Sequence, residues 1–230
     1  MSTDVPGLKE QFNDLDQQRQ ADLLGMWLFL TTEVLIFGGV ITAYSAYRCW
    51  YSYDFEAVSS RLNILIGGIN TIVLLTSSLS MAMAVHFAGK GRRAMLTLCL
   101  VLTAVLGTAF LVLKGFEYYG DYLDGLVPKT GRFRPEEWLA MDPPVSPARV
   151  QLFLMFYYVM TGLHAVHLCV GIGLIVWLAA RASRGRIPVE RAIDVDITGL
   201  YWHFIDVVWI FLLPLLYLIG TRSLSGVHFL

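Results

Sequence analysis

Two ionisable residues lie deep in the most apolar part of the chain. His203 and Asp206 are one helical turn apart within the apolar run 197–220, which is long enough to cross a bilayer as one helix. At helical spacing Trp202, Asp206 and Trp209 share one stripe, and His203 lies beside it. A carboxylate at membrane depth costs a few kcal/mol on insertion scales, so Asp206 should have a partner. His203 is the nearest candidate.

Three more ionisable residues interrupt other apolar runs. Glu33 is near the middle of the first run, and His164 and His167 are three residues apart in the fourth. At a rise of about 1.5 Å per residue, Glu33 and Asp206 lie roughly 15 Å from one membrane face and His164 roughly 10 Å from it. We therefore expect Glu33, His164, His167, His203 and Asp206 to form one buried polar cluster in the inner half of the membrane.

A second polar group belongs to the outer half. It comprises Asn70, Lys114 and Glu117. Lys114 and Glu117 are one turn apart, which predicts an ion pair within one helix, with both side chains snorkelling toward the outer interface.

The buried cluster is compatible with a proton-handling site, a metal site or an interhelical lock in which each group is satisfied by a neighbour. Zinc and di-iron helices normally repeat a Glu/His motif, and His164-x-x-His167 has no such repeat, so we predict no metal. No further carboxylates continue toward either membrane surface, which favours the lock over proton handling. We predict no catalytic and no cofactor-binding residue in this chain.

Composition indicates a polytopic membrane protein. The 230 residues are 56% hydrophobic and 15% charged. A net charge of -1 gives no reason to propose nucleic acid as a partner. The three cysteines show no CxxC spacing, which argues against a disulfide framework or a thiolate metal site. Five spans are predicted within one domain (23–222), at about 23–47, 64–87, 94–117, 150–180 and 197–220.

The segments outside the spans set the expected orientation. Residues 1–22 are acidic and lack an apolar signal core, so we expect no cleaved signal peptide; Leu8, Phe12 and Leu15 fit either an interfacial helix or a frayed tail. The long connection 120–149 is rich in proline, and Pro135 is expected to open a short helix. Lys and Arg slightly favour a cytoplasmic N-terminus, with this connection and the tail 223–230 outside.

Five sequence blocks, one in each span, resemble a known family. They are GMWLFLTTEVLIFGG (25–39), NTIVLLTSSLSM (70–81), GFEYY (115–119), TGLHAVH (161–167) and YWHFIDVVW (201–209). In order and spacing they are similar to subunit III of the haem–copper terminal oxidases (cytochrome c oxidase subunit 3), in a five-helix form. The resemblance covers essentially the whole membrane part.

The resemblance implies an all-α bundle of five transmembrane helices in a bacterial-type cytoplasmic membrane. Members of this family have no redox centre. They pack against catalytic subunit I, which holds the haems and copper that reduce dioxygen and pump protons, support proton uptake and bind phospholipid. Glu33 matches the family's carbodiimide-reactive glutamate, and His164, His203 and Asp206 match its buried polar positions.

Two departures and two alternatives remain open. Compared with seven-helix members, this sequence has no counterpart of the first two helices, which form a lipid cleft. Its 120–149 connection is also longer than usual in the family, and we expect it to be either a docking site for an outer-face partner or a solvated loop. The same residues would fit a quinol oxidase subunit or the small protein that accompanies nitric oxide reductase. A stand-alone transporter using Glu33, His164 and Asp206 is disfavoured, since neither inverted repeats nor discontinuous helices are evident.

Overall fold

The computed structural model describes residues 11–128, 133–185 and 193–220. All regular structure in these ranges is helical. The helices are α1 (Leu15–Trp50), α2 (Ser52–Ser59), α3 (Ile64–Gly89), α4 (Arg93–Leu123), α5 (Pro135–Leu139), α6 (Pro147–Ser183) and α7 (Ile193–Leu216). Five of them (α1, α3, α4, α6 and α7) are long and apolar enough to cross a membrane. The predicted five-helix, all-α architecture is confirmed, and the chain is a multi-pass membrane protein.

Local capping explains where the first two spanning helices begin. The carboxylate of Asp14 accepts a hydrogen bond of 2.6 Å from the Gln17 backbone N–H, and α1 then runs without interruption from Leu15. Leu15 therefore opens the first spanning helix itself, rather than a separate interfacial helix, and Leu8 lies outside the described residues. Asn63 caps α3 in the same way through two backbone N–H groups.

The core is a bundle of α3, α4, α6 and α7, with α1 lying against α6 and α7. Its central side chain is Trp202, which is fully buried and donates from Nε1 to Ser77 Oγ at 3.1 Å. Its ring lies directly on Gly107 of α4 and Gly171 of α6, where a Cβ atom would come within 2.6 and 3.0 Å of it. These two glycines allow α7 to approach both neighbouring helices closely.

Hydroxyl residues of α3 form hydrogen bonds to both neighbouring helices. Ser77 and Ser80 donate to backbone carbonyls of α4, at Thr103 and Cys99, over 3.3 and 3.0 Å. On the other side of α3, Thr71 accepts the Nε1–H of Trp209 at 3.0 Å. Close helix contact therefore comes with interhelical hydrogen bonds, which substitute for water inside a bilayer.

The long connection is held against the first connection. Asp54 of α2 is buried and accepts from the Ser146 backbone N–H at 2.9 Å and from Arg149 at 2.8 Å, so it binds the start of α6. Tyr53 donates to the Pro143 carbonyl at 3.0 Å. The short helix predicted at Pro135 is confirmed as α5.

Candidate functional site

A carboxylate–imidazole pair joins α1 to α6 within their membrane-spanning parts. Oε2 of Glu33 lies 2.9 Å from Nε2 of His167, and both side chains are largely buried. Nδ1 of His167 lies 2.8 Å from the Leu163 carbonyl oxygen, which can only accept, so Nδ1 carries a hydrogen. The Glu33–His167 contact then requires one proton between its two atoms, giving either an ion pair or two neutral groups.

The predicted pair of His203 with Asp206 is not formed. Nδ1 of His203 instead lies 2.7 Å from the Ser78 hydroxyl of α3. Ser78 also interacts with Asp206, but neither carboxylate oxygen has a partner at hydrogen-bonding geometry among the described residues. The prediction was wrong because α3 packs along this face of α7 and offers His203 a hydroxyl on another helix.

His164 is fully buried and lies against two aromatic rings. Its ring centroid lies 5.5 Å from that of Phe110 and 5.2 Å from that of Trp209. Within the described parts of the chain, neither ring nitrogen has a hydrogen-bond partner. Of the five residues predicted to converge, the structure therefore joins only Glu33 and His167 directly.

The outer-half group is a larger network than expected. Lys114 donates to Glu117 at 3.0 Å and to the hydroxyl of Tyr157 at 3.1 Å, and it also bonds the hydroxyl of Tyr217. The Tyr157 hydroxyl in turn lies 3.0 Å from Glu117 and 3.2 Å from a carboxylate oxygen of Asp121. One ammonium group thus lies among two carboxylates and two phenols contributed by α4, α6 and the segment that follows α7.

The intrahelical Lys114–Glu117 pair is confirmed, but the predicted snorkelling is wrong. Both side chains are only 3% exposed, because the two tyrosines supply partners inside the bundle. Sequence reasoning missed Asp121, although it follows Glu117 by four residues on the same helical face. It also missed Tyr157 and Tyr217, since their proximity depends on helix order around the bundle.

Four side chains have buried polar atoms with no hydrogen-bond partner among the described residues, namely those of Asn70, Tyr158, His164 and Asp206. Asn70 is fully buried on α3. An unpaired buried polar group costs about 1–3 kcal/mol, and internal water commonly satisfies such groups. In residues 11–128, 133–185 and 193–220, no three His, Cys, Asp or Glu side chains lie close enough to ligate a metal.

These features define the chain as a membrane helix bundle with interhelical polar contacts at membrane depth. A protein-family model described as Cytochrome c oxidase subunit III matches residues 149–221, which include α7 and all but the first two residues of α6. This match covers about a third of the chain, and together with the relatives below it supports the resemblance to subunit III of the haem–copper oxidases that the five sequence blocks predicted.

Relatives named as quinol oxidase subunits and a relative named as a cytochrome c oxidase subunit align with nearly the whole chain. The "Probable quinol oxidase subunit 3" of Staphylococcus haemolyticus is 26% identical over 201 residues, covering 87% of this chain and 90% of the relative. The corresponding Staphylococcus saprophyticus protein is 25% identical over 211 residues, with 90% and 95% covered. The "Cytochrome c oxidase subunit 3" of Alkalihalophilus pseudofirmus is 28% identical over 201 residues, covering 86% of each chain.

Proposed function

We propose that this chain is the accessory subunit III of a respiratory haem–copper oxidase. It packs in the membrane against a catalytic subunit that carries the haems and copper, and it contributes no redox centre. Dioxygen reduction and proton translocation then belong to the complex. Support comes from the family match, from relatives aligned over almost their full length, and from the five spanning helices.

The Glu33–His167 contact is the observation that supports a role in proton uptake. The pair has one proton between a carboxylate and an imidazole, within the membrane-spanning part of α1 and α6. This chain does not enclose the pair completely, because the side chain of Glu33 is 11% exposed and that of His167 is 14% exposed. We expect this pair to hold α1 in place and to buffer a proton beside the catalytic subunit.

The electron donor has two candidates. A relative named for quinol oxidase and one named for cytochrome c oxidase align equally well, at 26% and 28% identity. Oxygen consumption by the purified complex, measured with reduced cytochrome c and with a quinol as alternative donors, separates the two assignments.

The expected location is a bacterial-type cytoplasmic membrane with the N-terminus inside. Cys49 is exposed near the end of α1 where the orientation places the outer face. A membrane-impermeant maleimide should label Cys49 in intact spheroplasts in a variant that lacks the other two cysteines. Labelling only after lysis would reverse the proposed orientation.

The proposed function is tested by isolating the full chain through an affinity tag from detergent-solubilised membranes. We expect a larger membrane subunit to co-purify, with a haem absorbance spectrum, copper and dioxygen-reducing activity. Recovery of the chain free of any haem-containing subunit, from membranes that retain oxidase activity, would overturn the proposal.

A further inference from the structure

The buried Lys114 network contains fewer hydrogens than hydrogen bonds. The network comprises Lys114, Glu117, Asp121, Tyr157 and Tyr217. Six hydrogen bonds of 3.2 Å or less connect its ammonium group, its two phenols and its two carboxylates. The ammonium group supplies three hydrogens and each phenol supplies one, whereas an ionised carboxylate supplies none. One of the six hydrogen bonds therefore lacks a hydrogen when both carboxylates are ionised.

The missing hydrogen belongs at the hydroxyl of Tyr157. Lys114 donates to this hydroxyl, to that of Tyr217 and to Oε2 of Glu117, which uses all three ammonium hydrogens. Tyr217 donates its own hydrogen to Oε1 of Glu117 at 2.5 Å. Tyr157 then has one hydrogen and two acceptors, Oε1 of Glu117 at 3.0 Å and Oδ2 of Asp121 at 3.2 Å. It can satisfy only one of them.

The charges of the network lead to the same result. With both carboxylates ionised, Glu117 and Asp121 carry one more negative charge than Lys114 can balance. Among residues 11–128, 133–185 and 193–220, no other lysine or arginine forms an ion pair with either carboxylate. An unbalanced charge in a buried site is costly, and such a group is usually neutralised. One added proton removes the excess charge and supplies the missing hydrogen.

The other groups that face the network do not supply this hydrogen. The hydroxyl of Tyr118 is hydrogen-bonded to Thr161 at 2.6 Å. Tyr158 lies near Asp121, but its hydroxyl has no partner at hydrogen-bonding geometry in the described part of the chain. Asp124 is exposed and is itself a carboxylate. The hydrogen therefore comes from the aqueous phase.

Water has access to the network at Asp121. This residue lies in the last turn of α4, and its backbone carbonyl accepts from the Leu126 N–H at 2.8 Å. Leu126 also lines a cavity of about 730 Å³ at this end of the bundle. Asp121 is 8% exposed, compared with 3% for Lys114 and 4% for Glu117. A proton can thus enter the network through Asp121.

We propose that Glu117 and Asp121 share one exchangeable proton through the hydroxyl of Tyr157. In one arrangement Asp121 is the neutral acid and donates to Tyr157, which donates to Glu117. In the other, the Tyr157 oxygen has taken the proton from Asp121 and released its own hydrogen to Glu117, so that no atom or charge is gained. Two carboxylates that share a buried site do not both ionise readily. The network thus binds a proton independently of the Glu33–His167 pair.

The test is infrared spectroscopy of the tagged full chain, isolated with its partners. A protonated carboxyl group gives a carbonyl band that shifts in D2O, and subtraction of a variant spectrum from the wild-type spectrum removes the bands of other subunits. We expect one such band at neutral pH. Either Asp121→Asn or Glu117→Gln should abolish it, because the remaining carboxylate stays ionised beside Lys114. Asp124→Asn, at the exposed carboxylate nearby, should leave it unchanged.

Two tyrosine variants test the bridge between the carboxylates. Tyr157→Phe should keep the band but shift its frequency, because the acid loses its hydrogen-bond acceptor. Tyr158→Phe removes a hydroxyl that has no partner among the described residues and should change nothing. A shift in Tyr158→Phe instead would assign the bridge to Tyr158 and contradict the proposal.

The two carboxylate variants are isosteric with the wild type, and either one isolates the band if the other fails to assemble. Absence of an acid band from both difference spectra would overturn the proposal, because water would then supply the missing hydrogen. Persistence of the band in Glu117→Gln, together with its loss in Asp121→Asn, would place the proton on Asp121 alone and rule out sharing.

Discussion

Nε2 of His167 lies 2.9 Å from Oε2 of Glu33, and this contact joins α1 to α6 within the bilayer. Helix α1 also contacts α6 through ring pairs such as Tyr44–Phe153, and it contacts α7 and the short helix α2. Its most apolar stretch is nevertheless less buried than those of the other four spans, so the first helix has a limited packing surface. A hydrogen bond in that surface should contribute about 0.5–1.5 kcal/mol to its association when both groups are neutral and about 1.5–3 kcal/mol when they form an ion pair. The pair can therefore position α1 and hold a proton with the same two side chains.

Glu33→Gln is expected to leave assembly largely intact. The amide N–H of glutamine can donate to Nε2 of His167, whose other ring nitrogen carries the hydrogen, so most of the helix contact survives, whereas the ability to exchange a proton is lost. Initial turnover should stay near the wild-type rate, and activity should decline faster over repeated turnovers. Oxygen consumption followed over time measures both quantities. Thr32→Val, at an exposed neighbouring position, is the matched control; failure of Glu33→Gln to assemble would give Glu33 a purely structural role.

Gly107→Ala should destabilise the bundle, because its Cβ would lie 2.6 Å from the ring of Trp202. Overpacking of this kind costs about 1–3 kcal/mol. Gly115→Ala, on the same helix with no atom within 4 Å of the added Cβ, is the control and should be neutral. Thermal unfolding of the purified complex compares the two. Equal unfolding temperatures would contradict the close packing of α7 on α4.

The sequence was sufficient to predict the five spanning helices because apolar length is a local property. Depth along each helix was predicted only to within about one turn, since Glu33 contacts His167 rather than His164, the histidine expected nearer to its level. The rotation of each helix about its own axis could not be predicted from the sequence. His203 binds Ser78 and Lys114 binds Tyr157 and Tyr217 because of which helices are adjacent, and a single sequence does not contain that information.

Lys114→Met should be strongly destabilising. The substitution leaves Glu117 and Asp121 buried without their cation, and breaking a buried ion pair in this way costs about 3–5 kcal/mol. The double variant Lys114→Met/Glu117→Gln should recover part of that loss, because one of the uncompensated carboxylates is then neutral. Denaturant unfolding of the isolated complex measures the difference.

A surface ion pair provides the comparison for Lys114. Arg134 and Glu137 are 3.0 Å apart and largely exposed, so Arg134→Met should change stability by no more than about 1 kcal/mol. A similar loss of stability in Arg134→Met and Lys114→Met would show that the buried network stabilises the protein no more than a surface ion pair does.

Asp206→Leu should be neutral or slightly stabilising. The carboxylate of Asp206 is 3% exposed and has no hydrogen-bond partner among the described residues, while His203 keeps its contact with Ser78. Replacing an unpaired buried polar group with an apolar one removes its desolvation cost. Ser78→Ala, which leaves His203 unpaired, should instead destabilise by about 1 kcal/mol. A destabilised Asp206→Leu variant would indicate that an internal water or a partner subunit satisfies the carboxylate.

The central claim is that this chain assists an oxidase whose redox centres lie in another subunit. The direct measurement is the iron and copper content of each subunit, determined by elemental analysis after the tagged complex has been dissociated and its subunits separated. The account predicts that all haem iron and copper remain with the partner subunits. Stoichiometric iron or copper bound to this chain would contradict it.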